Sequence, residues 1–408
     1  MTLTDKLIPG GINRCDLYIF GWCLYYLQGT LYPESSPLSK SLLIALLLVS
    51  IGYAIYANIM YKLPAYLKGL NALLVMFTLY GFAALIMYGN EIVPLTGGVP
   101  VEAKNYLQTI AISLLSIYPF YIFAGQGYLT KEKLVRWLFI FFIIITLSFF
   151  REQRERATRI IEKNKSYSEE IETTINTGYV FLSIIPALFL LQKKPVIQYL
   201  GLLYCCTFVV MSAKRGAILI CAVEVVLFLY FSFKLSSKRR KISILFLSVC
   251  AVLCLVFFTE NRIQNSAYLN QRIEKTLEGN SSGRDEIYST LIDHYISERE
   301  YSKLLIGNGA ESTYRLSGSF AHQDWIEIMI NQGLLGVILY AAYWICFLIS
   351  IGKVKDPETR VILIMMFTLF FLKSLFSMSY GSMTYYTNSV IGYCLATGIP
   401  DKESQCLT

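Results

Sequence analysis

The chain contains two histidines, and one of them, His322, lies where a polar loop turns into an apolar helix, in the stretch SGSFAHQDWIEIMINQGLLG, residues 317–336. Imidazole has an unperturbed pKa of about 6.5, so His322 is well suited to accept a proton near neutral pH. His322 is therefore a candidate general base. The alternative is that His322 only caps or anchors this helix, for which Gln323 and Asp324 are further candidate capping residues.

A second stretch, NSSGRDEIYSTLIDHYISERE (residues 280–300), predicts an amphipathic helix. Ser282 is its candidate N-cap, with Asp285 three residues later in a capping-box-like pattern. Apolar residues from Ile287 to Ile296 then recur at helical spacing. Such a helix can lie on the membrane surface or against the rest of the protein.

Arg284 places a cation in the first turn of that helix. There it opposes the helix macrodipole, at a cost of about 0.3–1 kcal/mol. A bound anion, shared by the guanidinium and the free amides of the helix start, would compensate for this cost. The alternative is a surface arginine that pairs with Glu286 or another acid.

Two further cations, Lys214 and Arg215, lie in VVMSAKRGAILI (residues 209–220), at a short connection between two apolar segments. Basic side chains near a membrane interface commonly extend toward the headgroups, and this is the simpler explanation. This connection is predicted to lie on the outer side of the membrane, however, where basic residues are disfavoured. An anion held at this connection would account for both cations.

Glycines in the stretch LLIGNGAESTYRLSG (residues 304–318) predict turns at Gly307, Gly309 and Gly318. The short GxG pattern is a weak signal for phosphate binding and is more often simply a loop.

Two apolar segments each contain a charged residue, Glu224 and Lys373. Intramembrane charges are functional candidates, but Glu224 is predicted to lie toward the cytoplasmic half.

The composition indicates an integral membrane protein. Of 408 residues, 55% are hydrophobic and 16% are charged, whereas about a quarter of the residues in a soluble domain are charged. Apolar runs long enough to cross about 30 Å of hydrocarbon as helices predict twelve spans and an all-α fold. The predicted spans are residues 16–32, 41–60, 66–88, 106–125, 134–150, 174–191, 196–212, 216–233, 242–258, 325–350, 361–378 and 383–398.

Lysines and arginines collect on alternate connections, which predicts that those connections and both termini are cytoplasmic. Residues 259–323 then form a large outside loop between transmembrane helices in 1–258 and 324–408. The net charge of +8 reports this topology and implies no nucleic-acid partner. The ten cysteines are absent from the outside loops, which argues against a disulfide framework there, and they form no metal-binding pattern.

The segments SAKRG, SGR, LLIGNGAEST and AHQDWIEIMINQGLLG, taken in order, resemble the shared signature of bacterial O-antigen polymerases and O-antigen ligases. These are polytopic enzymes of the integral-membrane glycosyltransferase C class with a large periplasmic loop. The resemblance covers roughly residues 200–350. It departs from the family pattern at Gln323, where asparagine is common, and at Lys214.

The resemblance implies a glycan donor on undecaprenyl diphosphate, transferred at the periplasmic face of the bacterial inner membrane without metal or cofactor. Arg215 and Arg284, with Lys214 as a weaker candidate, would bind the diphosphate, and His322 would be the general base, with inversion at C1. Membrane lipid, a flippase and a chain-length regulator are the expected partners. Candidate contacts to glycan or acceptor are Tyr314, Arg315, Gln323 and Lys373.

Three functions are compatible with these features. An O-antigen polymerase is favoured because such enzymes are numerous and divergent, and an O-antigen ligase, which transfers glycan to the lipid A core, shares its donor and signature. A non-enzymatic transporter of polysaccharide or lipid intermediates is the third. It predicts broken helices and charged residues along a path through the membrane midplane.

Overall fold

The computed structural model describes residues 13–31, 36–97, 99–163, 175–265, 270, 274, 283–381 and 383–399. Within these ranges the protein is almost entirely α-helical, as predicted, with a single hairpin in which β1 (Glu91–Ile92) pairs antiparallel with β2 (Val101–Glu102). The α-helices are α1 (Arg14–Leu31), α2 (Pro37–Met60), α3 (Ala65–Tyr88), α4 (Ala103–Leu115), α5 (Ile117–Gly125), α6 (Lys131–Lys163), α7 (Gly178–Leu182), α8 (Pro195–Met211), α9 (Arg215–Leu235), α10 (Lys241–Asn265), α11 (Arg284–Ser297), α12 (Tyr301–Ile306), α13 (Ser312–Ser317), α14 (Asp324–Lys353), α15 (Pro357–Phe376) and α16 (Tyr385–Gly398).

Eight helical segments among the described residues are long and apolar enough to cross a membrane, as expected of a multi-pass membrane protein. They are Pro37–Met60, Ala65–Tyr88, Ala103–Gly125, Lys131–Arg156, Arg215–Leu235, Lys238–Asn265, Asp324–Lys353 and Pro357–Phe376. The other four predicted spans correspond to α1, Gly178–Leu191, α8 and α16, which do not reach this length and composition. Twelve crossings, and the division into residues 1–258, 259–323 and 324–408, therefore stay predictions.

Two predicted spans are interrupted near prolines. α4 and α5 meet at Ser116, three residues before Pro119. α7 ends at Leu182, and a 3-10 helix with Pro186 in its first turn continues to Leu191. Proline lacks the N–H that a helix needs and its ring collides with the preceding turn, which accounts for both interruptions.

α14 is also interrupted, at Gly333, whose φ is +64°. The carbonyl oxygen of Asn331, just before the interruption, accepts a hydrogen bond from the N–H of Gly309 at 2.9 Å. A Cβ on Gly333 would lie only 2.5 Å from the backbone nitrogen of Gly307. The glycine-rich loop that follows α12 is therefore built into the gap in α14. Positive φ angles confirm the predicted turns at Gly307 and Gly309 in this loop and at Gly318 after α13.

Small residues allow the closest helix packing. A Cβ on Gly69 of α3 would meet the Cβ of Cys346 in α14 at 3.0 Å, and one on Gly392 of α16 would meet the backbone nitrogen of Tyr121 in α5 at 3.0 Å. Such contacts bring helix backbones together where lipid supplies no hydrophobic driving force. α14 is thereby fixed against α3, which sets the position of its first turn.

The two ends of the bundle differ in what they carry. At one end Lys133 pairs with Asp16 at 2.9 Å, and the N–H of Lys355 bonds to the carbonyl oxygen of Gly398 at 3.0 Å. α1 begins and α16 ends there, beside the basic connections. The other end, here called the loop face, carries the β hairpin, residues 212–214, α11 to α13 and residues 377–381 and 383–384.

Candidate functional site

Tyr179 lies at the loop face and is held there by the start of α7. The N–H of Ile175 donates to the carbonyl oxygen of Ser212 at 2.9 Å, and the N–H of Thr177 donates to the carboxylate of Glu152 at 3.1 Å. These bonds tie the segment before α7 to two other helices. The ring of Tyr179 is thereby placed where several cations converge.

Lys373, near the end of α15, is buried with 6% of its surface exposed. Its ammonium nitrogen lies 4.6 Å from the centroid of the Tyr179 ring, which is the geometry of a cation–π contact. Lys214 and Asp324 are both within electrostatic range of this ammonium. The buried cation is therefore held between a ring, a carboxylate and a second cation.

The arginines approach the same tyrosine from two other elements. Arg284 donates through Nη1 to the carbonyl oxygen of Phe376 at 2.8 Å and lies within electrostatic range of Tyr179. Arg215 begins α9, and a Cβ on the next residue, Gly216, would lie 2.7 Å from the Tyr179 hydroxyl. Lys373 and Arg284 thus lie beside Tyr179, Lys214 lies within electrostatic range of Lys373, and the backbone next to Arg215 adjoins the tyrosine hydroxyl. These four basic residues, Lys214, Arg215, Arg284 and Lys373, are here called the cationic cluster.

His322 is exposed at the loop face, directly before α14. Its φ of +54° is uncommon for a residue with a side chain. The preceding N–H, that of Ala321, donates to the carboxylate of Glu327 at 2.9 Å. Gln323 occupies the N-cap position without a side-chain capping bond, so the predicted capping role of Gln323 is wrong.

Asp324 does not cap the helix but joins its start to the end of α15. The carboxylate is fully buried and accepts hydrogen bonds from the N–H of Ser379 at 2.8 Å and the hydroxyl of Tyr340 at 2.5 Å. The indole of Trp325 also donates to the hydroxyl of Ser374 at 3.2 Å. Because Ser374 follows Lys373, these bonds place the backbone of His322 beside the cationic cluster.

The predicted amphipathic helix is α11, and it packs on the protein. Leu291 is fully buried against Ala321 and Ile330, whereas Ile296 is 75% exposed. The predicted N-cap, Ser282, lies outside the described residues, and α11 begins at Arg284 after Gly283. The guanidinium of Arg284 donates to a carbonyl oxygen and not to Glu286.

Tyr314 and Arg315 in α13 face the β hairpin instead. The Tyr314 hydroxyl donates to the carbonyl oxygen of Val99 at 2.7 Å, and the guanidinium of Arg315 lies 5.1 Å from the ring centroid of Tyr88. The hairpin N–H of Leu95 also donates to the carbonyl oxygen of Arg315 at 2.8 Å. These contacts bring the two residues to the loop face but not to the cationic cluster.

A second group of polar side chains, here called the oxygen cluster, lies on the other side of the α14 start. Gln332 donates through Nε2 to the hydroxyl of Tyr106 at 3.3 Å. Tyr106, Glu311 and Glu327 lie within electrostatic range of one another and of Tyr380. The members of the oxygen cluster are Tyr106, Glu311, Glu327, Gln332 and Tyr380.

Burial and the neighbouring carboxylate of Glu327 raise the pKa of Glu311 to about 8. Burial raises the pKa of Tyr380 well above its ordinary value. Both groups are therefore protonated at neutral pH and present neutral oxygens. The oxygen cluster suits hydrogen bonding to uncharged hydroxyl groups better than binding to an anion.

Neither Tyr179 nor the oxygen cluster was predicted from the sequence as part of a site. One signal was present: Asn331 and Gln332 are adjacent polar residues within an apolar helix, and both are buried. Buried polar side chains in such a helix need partners. Tyr179 carries no comparable signal, since the chain contains thirty tyrosines.

Comparison with known proteins adds no assignment to this geometry. No protein-family model matches the chain, and no curated protein matches it.

Proposed function

We propose that the protein is a glycosyltransferase that uses a lipid-diphosphate-linked glycan as donor, and specifically an O-antigen polymerase. The observation that carries the proposal is the convergence of the cationic cluster on Tyr179, beside the helix start that carries His322. Arg215 begins α9, with Lys214 directly before it, Lys373 lies near the end of α15, and Arg284 begins α11. Such an arrangement suits a dianionic group presented at a membrane surface.

The cationic cluster would stabilise the departing lipid diphosphate. Guanidinium groups bind phosphate oxygens through two parallel hydrogen bonds, and Arg215 and Arg284 are the residues proposed for this contact. Lys373 and Lys214 add positive charge, and Lys373 is buried, where charge is less screened. This assigns Lys373 to the diphosphate rather than to the glycan. Preorganised charge of this kind lowers the barrier as negative charge develops on the leaving group.

His322 would act as the general base. The acceptor hydroxyl loses its proton to the imidazole, and its oxygen forms a bond to C1 of the donor sugar. The bond between C1 and the phosphate oxygen breaks, and the diphosphate leaves with the electron pair. The imidazolium then returns its proton to solvent, and attack opposite to the leaving group inverts C1.

In this proposal the loop face is periplasmic, the opposite end and both termini are cytoplasmic, and the membrane is the bacterial inner membrane. The donor is glycan on undecaprenyl diphosphate, delivered by a flippase, and a chain-length regulator is a partner. Charge neutralisation comes from side chains, so the proposed reaction uses no metal or cofactor. Tyr314, Arg315 and Gln323 stay candidate contacts to the glycan.

The ligase alternative shares this donor chemistry and differs only in the acceptor. The transporter alternative is favoured by one observation, the helix interruptions at Ser116, Leu182 and Gly333. Against it, the cationic cluster lies at one end of the bundle. Glu224, buried within α9, is nine residues from Arg215, which is about 14 Å along a helix.

The test is the lipopolysaccharide ladder of a deletion strain that carries the wild type or His322→Ala, with protein levels measured in membranes. A core with a single repeat, extended to a ladder by the wild type but not by His322→Ala, is the result expected for a polymerase. The matched control is His294→Ala, which removes the other histidine and should leave the ladder unchanged.

Other outcomes contradict parts of the proposal. Bare core with polymer left on undecaprenyl diphosphate would identify a ligase. A normal ladder with His322→Ala would remove the general base. A ladder that is normal in the deletion strain itself would exclude both transferases.

A further inference from the structure

Gln332 carries a buried hydrogen-bond acceptor that has no partner. Its side chain is 1% exposed and its Nε2 is oriented by the Tyr106 hydroxyl at 3.3 Å. The other amide atom, Oε1, has no hydrogen-bond partner. Native proteins leave few buried polar atoms unsatisfied, and each one calls for an explanation.

A second such acceptor lies in the same cluster. Glu311 is 9% exposed, and its Oε2 also has no hydrogen-bond partner. Its backbone φ is +61°, an uncommon conformation for a residue with a side chain. Glu311 lies within electrostatic range of Tyr106, to which Gln332 bonds, so both acceptors belong to one site.

A role in holding the loop on α14 does not explain why these two acceptors lack partners, because the neighbouring residues that do hold the loop are hydrogen-bonded. Glu327 accepts hydrogen bonds from the Thr313 hydroxyl, the Ala321 N–H and the Asn331 amide. The oxygen of the Asn331 amide accepts the N–H of Thr313 at 3.0 Å. Residues that hold the loop on α14 are therefore bonded on their polar atoms, whereas Gln332 and Glu311 keep acceptors available.

We propose that the oxygen cluster is the acceptor-sugar subsite, in which Gln332 Oε1 and Glu311 Oε2 accept hydrogen bonds from sugar hydroxyl groups. The inference rests on the proposed function and names the substrate group that this part of the site binds. A sugar supplies neutral donors without bringing negative charge near the carboxylate of Glu327. The oxygen cluster and the cationic cluster thus bind chemically different parts of the two substrates.

The position of His322 agrees with this division. On one side its neighbour Ala321 is bonded to Glu327, a member of the oxygen cluster. On the other side Asp324 lies within electrostatic range of Lys373, a member of the cationic cluster. A sugar hydroxyl entering from the oxygen cluster would therefore reach the base opposite to the departing diphosphate.

The experiment measures binding of two probes to the full-length protein in lipid nanodiscs. The first probe is the oligosaccharide released by mild acid from the lipid-linked glycan of the deletion strain, which carries hydroxyls but no phosphate. The second is inorganic diphosphate. Gln332→Leu should raise the Kd of the oligosaccharide by about tenfold, because the amide oxygen that accepts a sugar hydroxyl is lost, and should leave diphosphate binding unchanged.

Gln198→Leu is the matched control. Gln198 in α8 is also 1% exposed, and its Nε2 also has no hydrogen-bond partner, but it is not a member of the oxygen cluster. Its replacement should leave the Kd of both probes unchanged. Glu311→Leu keeps a similar side-chain volume but removes both oxygens, so it should weaken oligosaccharide binding, and the test survives if Gln332→Leu does not fold.

Each other outcome is decisive. Unchanged oligosaccharide binding in folded Gln332→Leu and Glu311→Leu, or no oligosaccharide binding by the wild type, overturns the subsite. Stabilisation of the wild type by sodium ions that Gln332→Leu abolishes would identify a cation site and overturn it as well. Oligosaccharide binding without diphosphate binding would contradict the proposed donor while leaving the subsite intact. A deletion strain that accumulates no lipid-linked glycan would overturn both proposals.

Discussion

The cationic cluster and the oxygen cluster lie on the two sides of the α14 start, and they are assembled in different ways. The cations come from α9, α11, α15 and the residue before α9; the ring of Tyr179 orients Lys373, and the carbonyl oxygen of Phe376 orients Arg284. The oxygen cluster is built mostly from residues 307–333, a continuous segment that folds back on itself. Packing between distant helices brings the residues of the cationic cluster together, whereas the folding of one continuous segment brings most of the oxygen cluster together.

This difference predicts different responses to mutation. A cation should be replaceable at the cost of function, because the cations are single side chains at the ends of α9, α11 and α15. A residue of the 307–333 segment that holds the loop on α14 affects the whole segment. Damage to the cationic cluster should therefore appear in activity, and damage to the segment should appear first in stability.

The largest effect is expected for Gly333→Ala. The new Cβ would lie 2.5 Å from the nitrogen of Gly307, and φ is +64°, so both a backbone clash and a left-handed conformation penalise alanine. A loss of more than about 3 kcal/mol is expected, and little folded protein should be recovered in size-exclusion chromatography. Gly352→Ala, in the same helix with open space around it, should fold normally.

Arg284→Ala should come next, with activity lowered about 10²- to 10³-fold and thermal stability changed little. Arg284→Lys should restore only part of the rate, because an ammonium group cannot form the two-point contact with phosphate. The measurement is the initial rate of glycan transfer in nanodiscs. Arg299→Ala, at the exposed end of the same loop region, is the control, and an equal loss there would show that the effect is not specific to the cluster.

The next effect concerns pH and is spread over several pH units. Glu311 has a pKa of about 8 in the folded protein, against an ordinary value of 4.5, so the folded state binds more protons between these values. Its contribution to stability is therefore fully present below pH 4.5 and is lost as pH rises toward 8, by at most about 1.4 kcal/mol per pH unit. Glu311→Gln should reduce the fall in Tm between pH 4.5 and 8. If Tm falls equally with pH in this variant, the raised pKa of Glu311 is contradicted.

The smallest effect is expected for Ala213→Gly. Ala213 has a φ of +52° just before Lys214, and glycine adopts this conformation without the cost that a Cβ brings, about 1–2 kcal/mol. Glycine is also more flexible in the unfolded chain, so a net gain of about 1 kcal/mol or less is expected. Ala217→Gly, inside α9, should instead lower Tm.

Much of the architecture could be predicted from the sequence, because apolar runs of membrane length and the positions of lysine and arginine depend only on local composition. The helix that starts at Arg284 and the turns at Gly307, Gly309 and Gly318 were also accessible, since each depends on local spacing. Whether helices α1, α8 and α16 also cross the membrane stays a prediction, since they do not combine the length and apolar composition of the eight candidate spans.

The composition of the site was harder to predict. The cations and His322 were identified because charged residues are rare in an apolar chain. Their grouping around Tyr179 depends on contacts between residues that lie far apart in sequence, such as Arg284 with Phe376. The docking of Gly309 on Asn331 is a further example, since nothing in either segment alone indicates its partner.

The interlocking of Gly307 with the gap in α14 also constrains how the gene can change. The backbone of residue 309 must meet that of residue 331, so an insertion or deletion between them would shift every contact that follows in this stretch. The connection from Glu298 to Glu300 lies outside this interlocked segment and is exposed at Arg299 and Glu300. Its length is therefore not fixed by the contact between residues 309 and 331. Among related sequences, insertions and deletions should therefore occur before α12 and be absent between residues 309 and 331. This segment should be inherited and exchanged only as a whole.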